Sequence, residues 1–237
     1  MSFDPAAAWA AAQASPVFDL LLTLLAYQLG LKLYDRSQHH PLLLPVFVGL
    51  VLVIAANLLL QRSFAQYRQG AEALYVLLGP VTVALAVPLY QRLGQIRSMA
   101  LPLLLTWLLT ALVVVSSAWA IMWLLDTDPA AQMSLVQKSA TTPIAILIAD
   151  SIGGIAGLAA ITVMLTGIVG AMLGPALIRR LGIRDEATLG FALGLSAHAV
   201  GTARALDISP RCGAFAALGM SLMGVLLALV LPLLFGR

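Results

Sequence analysis

Between Arg97 and Asp126 the chain carries no charged residue, and further apolar runs fill 17–33, 42–60, 155–178 and 212–235. A helix crosses a bilayer with roughly 20 apolar residues, and in lipid every backbone polar group must find its partner within the protein. These two facts leave one fold class, an all-α polytopic helical membrane protein. The composition agrees, with 61% hydrophobic and 10% charged residues and a mean hydropathy of +1.00, where soluble domains carry about 25% charged residues. The net charge of +3 comes from basic residues scattered at segment ends, as cytoplasmic flanks of spans require, which argues against nucleic-acid binding. A single cysteine, Cys212, excludes an internal disulfide framework. Residues 1–16 read as an amino-terminal tail without the basic and apolar regions of a signal peptide, and 17–237 as one transmembrane domain.

Taken in order, the first span is 17–33, with Asp19 at the interface, and the second is 42–60. His39 and His40 between them have no nearby Cys, Asp or Glu and read as interfacial, with no metal site. The third, 71–90, contains Gly79-Pro80 and Pro88; proline costs about 3 kcal/mol or more inside a helix, so a broken or strongly kinked helix is expected. The fourth, 101–125, ends on Trp119 and Trp123, as an interfacial belt would place them. Segment 134–154 has an apolar core too short to span and is expected to be re-entrant or broken. A clear span at 155–178 follows, rich in glycines that let helices approach.

The stretch Gly190–Asp207, GFALGLSAHAVGTARALD, sits among spans yet carries Ser196, His198, Thr202 and Arg204. Ionisable groups at membrane depth normally face a protein interior or a wet cavity. A broken span 187–206, interrupted at Gly194–Gly201, is the expectation; a short plain span with Arg204 and Asp207 at its water end is the alternative. The last span is 212–235. Basic flanks place Arg92, Arg97, Arg179, Arg180 and Arg237 in the cytoplasm and Asp128 outside. The result is about seven spans plus the segment 134–154, with an inverted repeat of 41–125 and 155–237, each holding one broken helix, as in secondary transporters.

Three polar stretches stand out: LLGPVTVALAVPLY (77–90), KSATTPIA (138–145) and GLSAHAVGTARALD (194–207). Together, in this order and spacing, they resemble the LrgB/CidB family of bacterial membrane proteins, whose relatives include the carboxy-terminal half of the plastidial glycolate/glycerate translocator. The resemblance covers about 17–235. The family usually has proline before the Lys-Ser pair, where Gln137 stands here, which leaves the local turn open. The resemblance implies a multi-pass protein of the bacterial cytoplasmic membrane and two roles. One is movement of small 2-hydroxy or 2-keto monocarboxylates such as glycolate, glycerate, lactate or pyruvate. The other is antiholin-like control of murein hydrolase activity and lysis, with a small LrgA/CidA-type partner.

The residues favour the carboxylate reading. Lys138 and Arg204 offer charge, the latter with a fork that fits a carboxylate. Ser139, Thr141, Thr142, Ser196, Thr202 and Thr82 offer hydroxyls, and Gly79, Gly194 and Gly201 close backbone approach. A break at Gly201 would let Arg204, Thr202 and His198 converge. His198 is the intramembrane group that titrates nearest neutral pH, so either it couples a proton, with Asp150 next, or it is a neutral histidine hydrogen-bonded inside the bundle; Lys138 either serves the site or snorkels to the interface. As membrane serines and threonines often bond their own helix or a neighbour, packing roles stand beside these. No nucleophile–base pair, metal-ligand spacing or phosphate loop points to an enzyme or a cofactor. A homo-oligomer is expected.

Overall fold

The structure, a computed structural model, describes residues 4, 9, 11–13, 15–84 and 86–236. Every regular element among them is helical. Four helices are long and apolar enough to cross a membrane, or five if one bent pair counts as a span. The chain divides into two compact units, residues 1–84 and 85–237.

The first unit contains α1 (Pro16–Arg36), a short 3-10 turn (Pro41–Leu43), α2 (Pro45–Leu59), α3 (Phe64–Gly70) and α4 (Glu72–Ala84). Asp19, Ala26, Gly30 and Tyr34 form the buried face of α1. Gly30 is needed there, because a Cβ would stand 2.8 Å from the Pro45 carbonyl oxygen. At the end of α2 the chain turns through 119° into α3, with Gln61 at φ 53° and a Ser63–Gln66 capping box starting the new helix. Asp19, in the first turn of α1, is enclosed by protein. It is 1% exposed and forked by Arg62, with Nη2 donating to Oδ2 at 2.7 Å. The Arg62 guanidinium also lies 5.1 Å over the Phe18 ring. Pro80 lies inside α4, so the non-helical backbone expected there does not occur.

The second unit runs α5 (Ala86–Gln91), α6 (Leu93–Ser98), α7 (Ala100–Leu124), α8 (Pro129–Leu135), α9 (Thr142–Ile152), α10 (Ala156–Arg180), α11 (Glu186–Ile208) and α12 (Pro210–Phe235). Pro88 falls within α5, and residue 85 lies outside the described residues. Two of these stretches do not cross the membrane. The first is 134–154, as expected of a re-entrant segment. The Ser134 hydroxyl accepts from the Ile155 amide at 2.7 Å, so the chain leaves α8, passes 136–141, and returns through α9 to its starting level. Eleven residues of α9 rise about 16 Å, half of a hydrocarbon core of about 30 Å.

The second is α11, and here the structure corrects the sequence reading. A straight helix over 186–208 would be about 35 Å long. Instead its ends meet: the Ser209 hydroxyl donates to Glu186 Oε2 at 2.7 Å, and Arg211 pairs with Asp185 at 3.0 Å. The turn is at His198, inside the interval Gly194–Gly201 where a break was expected, with φ 42° and ψ −130°; what differs is that the chain reverses there. Past it the second arm lies against the first, so that a Cβ on Gly201 would stand 2.6 Å from both the Leu193 oxygen and the Ala197 Cβ. Gly201 is therefore where the two arms touch, and the break lies three residues earlier. Because 187–206 enters and leaves on one face, the expected triplet 155–237 loses its middle span, and with it the repeat of 41–125 and 155–237. Arg237 lies outside the described residues.

The first arm of α11 runs alongside the start of α12 at backbone contact. A Cβ on Gly190 or Gly194 would stand 2.0 Å from the carbonyl oxygens of Cys212 and Ala216. Phe215, Leu195, Val136, Ala140, Ile148 and Met223 fill the core between the hairpins, α7, α10 and α12.

Candidate functional site

The two hairpins reach the same level of α12 from different elements. At the first tip, Ile144 Cδ1 lies 3.0 Å from where a Cβ of Gly224 would stand. At the second, the Thr202 hydroxyl lies 3.8 Å from Met220 Sδ. Met220 and Gly224 are one helical turn apart, near the middle of α12. The tips are thus neighbours at mid-span depth, where two chain reversals leave polar groups that a lipid-facing helix would not carry.

The first tip is the turn 136–141, closed by the Lys138 amide on the Leu135 carbonyl (3.1 Å) and the Ala140 amide on the Gln137 carbonyl (2.9 Å). Gln137 fits this turn fully buried, its Nε2 donating to the Ser134 carbonyl at 3.1 Å while its Oε1 has no protein partner. Lys138 reaches the Val114 carbonyl on α7 at 3.5 Å. Ser139 is buried, and Thr141 and Thr142 are half-buried at the start of α9. Asp150 is exposed at the far end of α9, about 12 Å from Thr142 along the helix.

The second tip is His198. Its ring is buried, with Nε2 2.8 Å from the Val163 carbonyl on α10. It rests on Gly167, where a Cβ would come 2.4 Å from His198 Cε1. The Thr202 hydroxyl donates to the His198 carbonyl at 2.8 Å. Ser196 is exposed and returns its hydroxyl to Ala192 O at 2.7 Å. Arg204 lies on the returning arm, nearly two turns past the tip, 3.9 Å from Asp207. The first hairpin thus carries Lys138, Ser139, Thr141 and Thr142 at or beside its tip and the second carries His198 and Thr202, while Arg204 and Asp150 lie toward the hairpin bases. Gly79 and Thr82 belong to α4 in the first unit; their surroundings lie outside the described residues.

Lys138 stands at the first tip, while the acidic groups Asp150, Asp185, Glu186 and Asp207 stand toward the bases with Arg204 and Arg211. Asp185 caps α11 by accepting from the Thr188 amide at 2.9 Å. That amide foremost, then the Thr188 hydroxyl and the Arg211 guanidinium, hold its carboxyl below the usual carboxylate range. Among the described residues, no three His, Cys, Asp or Glu side chains come together as metal ligands. Sequence reasoning did not find Val163, Gly167 and Met220 as the seats of the tip, nor the Glu186–Ser209 closure. One pattern held the clue: polar groups at both 185–186 and 207–209 bound an apolar stretch with a histidine at its centre.

The sequence profile of the LrgB-like family matches residues 23–236. YxaC of Bacillus subtilis is 35% identical over 207 residues, covering 87% of this chain and 90% of its own. The antiholin-like protein LrgB of Bacillus mycoides is 27% identical over 219 residues, 92% of this chain and 95% of its own. The protein of the same name from Bacillus cereus strain B4264 is 27% identical over 225 residues. No solved structure matches.

Proposed function

This chain belongs to the LrgB-like family, and from that premise we propose that it is an antiholin-like regulator in the bacterial inner membrane. It would restrain a small LrgA/CidA-type partner and, through it, murein hydrolase activity and lysis. What supports this reading is the name antiholin-like borne by relatives aligned over 92% of the chain. It reverses the order in which the residues alone ranked the two roles. The engagement of both candidate cations by protein groups, Lys138 with the Val114 carbonyl and Arg204 with Asp207, also favours it. The test is dye leakage from cells expressing a holin-like partner with and without this chain. A several-fold reduction is expected; unchanged leakage with both proteins in the membrane would refute the reading.

A second reading, a carrier of small 2-hydroxy or 2-keto monocarboxylates, is favoured by one observation, the meeting of two hairpin tips at the middle of α12. Discontinuous helices whose ends meet near the midplane are how carriers build their sites. Lys138, Ser139, Thr141, Thr142 and Thr202 would hold the anion, with Ser196 and Arg204 along the second hairpin and His198 or Asp150 moving a proton. Uptake of radiolabelled glycolate or pyruvate into proteoliposomes holding this chain alone separates the two readings, since a regulator alone transports neither. Under both readings Arg97 and Arg180 face the cytoplasm and Asp128 the outside.

A further inference from the structure

Two stretches of the second unit match each other at one constant offset, without a gap. Asp128 falls on Asp185, Ser139 on Ser196, Ala140 on Ala197 and Asp150 on Asp207, then Gly167 on Gly224 and Pro175 on Pro232. With only 10 acidic residues in 237, two aspartate pairs in one register are informative. The structure supports the register independently. Asp128 and Asp185 are both helix N-caps, each accepting from an amide of the following turn at 2.8 and 2.9 Å. In the first stretch Met133 and Ser134 meet Gly154 and Ile155; in the second, the matching Gly190 meets Cys212. Most telling, the matched glycines seat the opposite tips: Gly167 lies under His198 and Gly224 under Ile144.

We infer that 128–178 and 185–235 are two copies of one unit, a hairpin followed by a span, set in the membrane in opposite directions, and that each hairpin gates the face it enters from. The opposition follows from α10. Its 25 residues rise about 37 Å, so the base of the first hairpin, at 134 and 155, and that of the second, at 185 and 209, lie on opposite faces. Each tip rests on the span of the other copy, so lifting one hairpin opens the junction to one face while the other stays shut. The copies have diverged at the tips: Lys138 falls on Leu195 and Thr141 on His198. One gate carries an ammonium and the other an imidazole. The inference is independent of whether the chain regulates a partner or carries a solute.

The experiment places a reporter at Met220→Cys, on a Cys212→Ser background, and treats vesicles of known sidedness with a membrane-impermeant maleimide. Two disulfide locks are added separately. Gly170→Cys with Ala197→Cys ties the second hairpin to α10, since the two positions touch and a shift of about 1 Å brings their Cβ atoms to the roughly 3.5–4.5 Å that a disulfide spans. Ile144→Cys with Gly224→Cys ties the first hairpin to α12 through a short bis-methanethiosulfonate bridge, since the contact there runs through the far end of the Ile144 side chain. The unlocked reporter should react from both faces. Each lock should cut labelling at least tenfold from one face only, the two locks acting on opposite faces, and dithiothreitol should restore it. Labelling of the unlocked reporter from fewer than two faces, no effect of either lock, or both acting on the same face would overturn the gating. Asp128→Cys and Asp185→Cys, both at exposed positions, should react from opposite faces; reaction from the same face overturns the inversion.

Discussion

Adding one methyl at Gly194 should test how tightly the second hairpin is held. A Cβ there would stand 2.0 Å from the Ala216 carbonyl oxygen, and a real Cβ essentially never comes within 3.0 Å of such an atom. The obstacle is backbone on a packed helix, with no flexible side chain to swing aside. The first arm of α11 must therefore move off α12 by about 1 Å, a gap that forfeits roughly a quarter to a half of each dispersion contact along the seam. Overpacking of this kind costs about 1–3 kcal/mol, or a fall in melting temperature of roughly 3–10 °C for a chain of this size. The buried Cys212 thiol gives the assay: in detergent, a thiol-reactive fluorophore reads unfolding as that sulfur becomes accessible. Gly157→Ala in α10, where a Cβ would meet nothing within 4 Å, is the control and should melt with the parent. If Gly194→Ala also melts with the parent, the arm is not in backbone contact with α12 and the hairpin's placement is wrong.

At the turn itself, His198→Gly should be more stable than His198→Ala by about 1 kcal/mol or more. Both lose the ring's bond to Val163, and only alanine keeps a side chain at φ 42°. The opposite order, which a plain helix would show, would deny the reversal. In the first unit, Arg62→Gln should cost about 3 kcal/mol by leaving Asp19 buried without its counter-charge, and Asp19→Asn in the same chain should recover most of it; thermal melts of the three variants decide. For Asp185, whose folded carboxyl lies below its unfolded value of about 3.9, the stabilisation is present above that value and lost as pH falls through the folded one. Asp185→Asn should therefore melt below the parent at pH 7, with the gap closing below about pH 4; a gap that persists in acid would refute the assignment.

The class of the fold was legible because it depends on local sequence, and so were the polar residues that an apolar segment would not otherwise carry. Apolar length marks a bilayer segment, and Lys138, Ser139, His198 and Thr202 stand out in such segments wherever the chain goes. The re-entrant course of 134–154 was legible for the same reason, an apolar core too short to span. That α11 breaks within 194–201 was legible too, but that it reverses there was not. Its length and apolar content suit a crossing helix, and the glycines that seemed to break it serve close packing: Gly190 and Gly194 against α12, Gly201 between the arms. The reversal at His198 is a tertiary result, held by Val163 and Gly167 on a different helix. Likewise Asp19 and Arg62 lie 43 positions apart, and nothing near either residue announces the other. Arg204 was placed at the centre because its fork suits a carboxylate, but the reversal three residues before Gly201 carries it toward the base, where Asp207 stands.

The measurement that bears most directly on this architecture is the distance between spin labels at Glu186 and Ser209 in reconstituted protein, read by double electron–electron resonance. With the two side chains bonded at 2.7 Å, the labels should lie no more than about 20 Å apart even with their linkers extended. A helix that crosses the membrane would separate these positions by about 35 Å, and a distribution centred there would contradict the hairpin and the mid-membrane junction built on it.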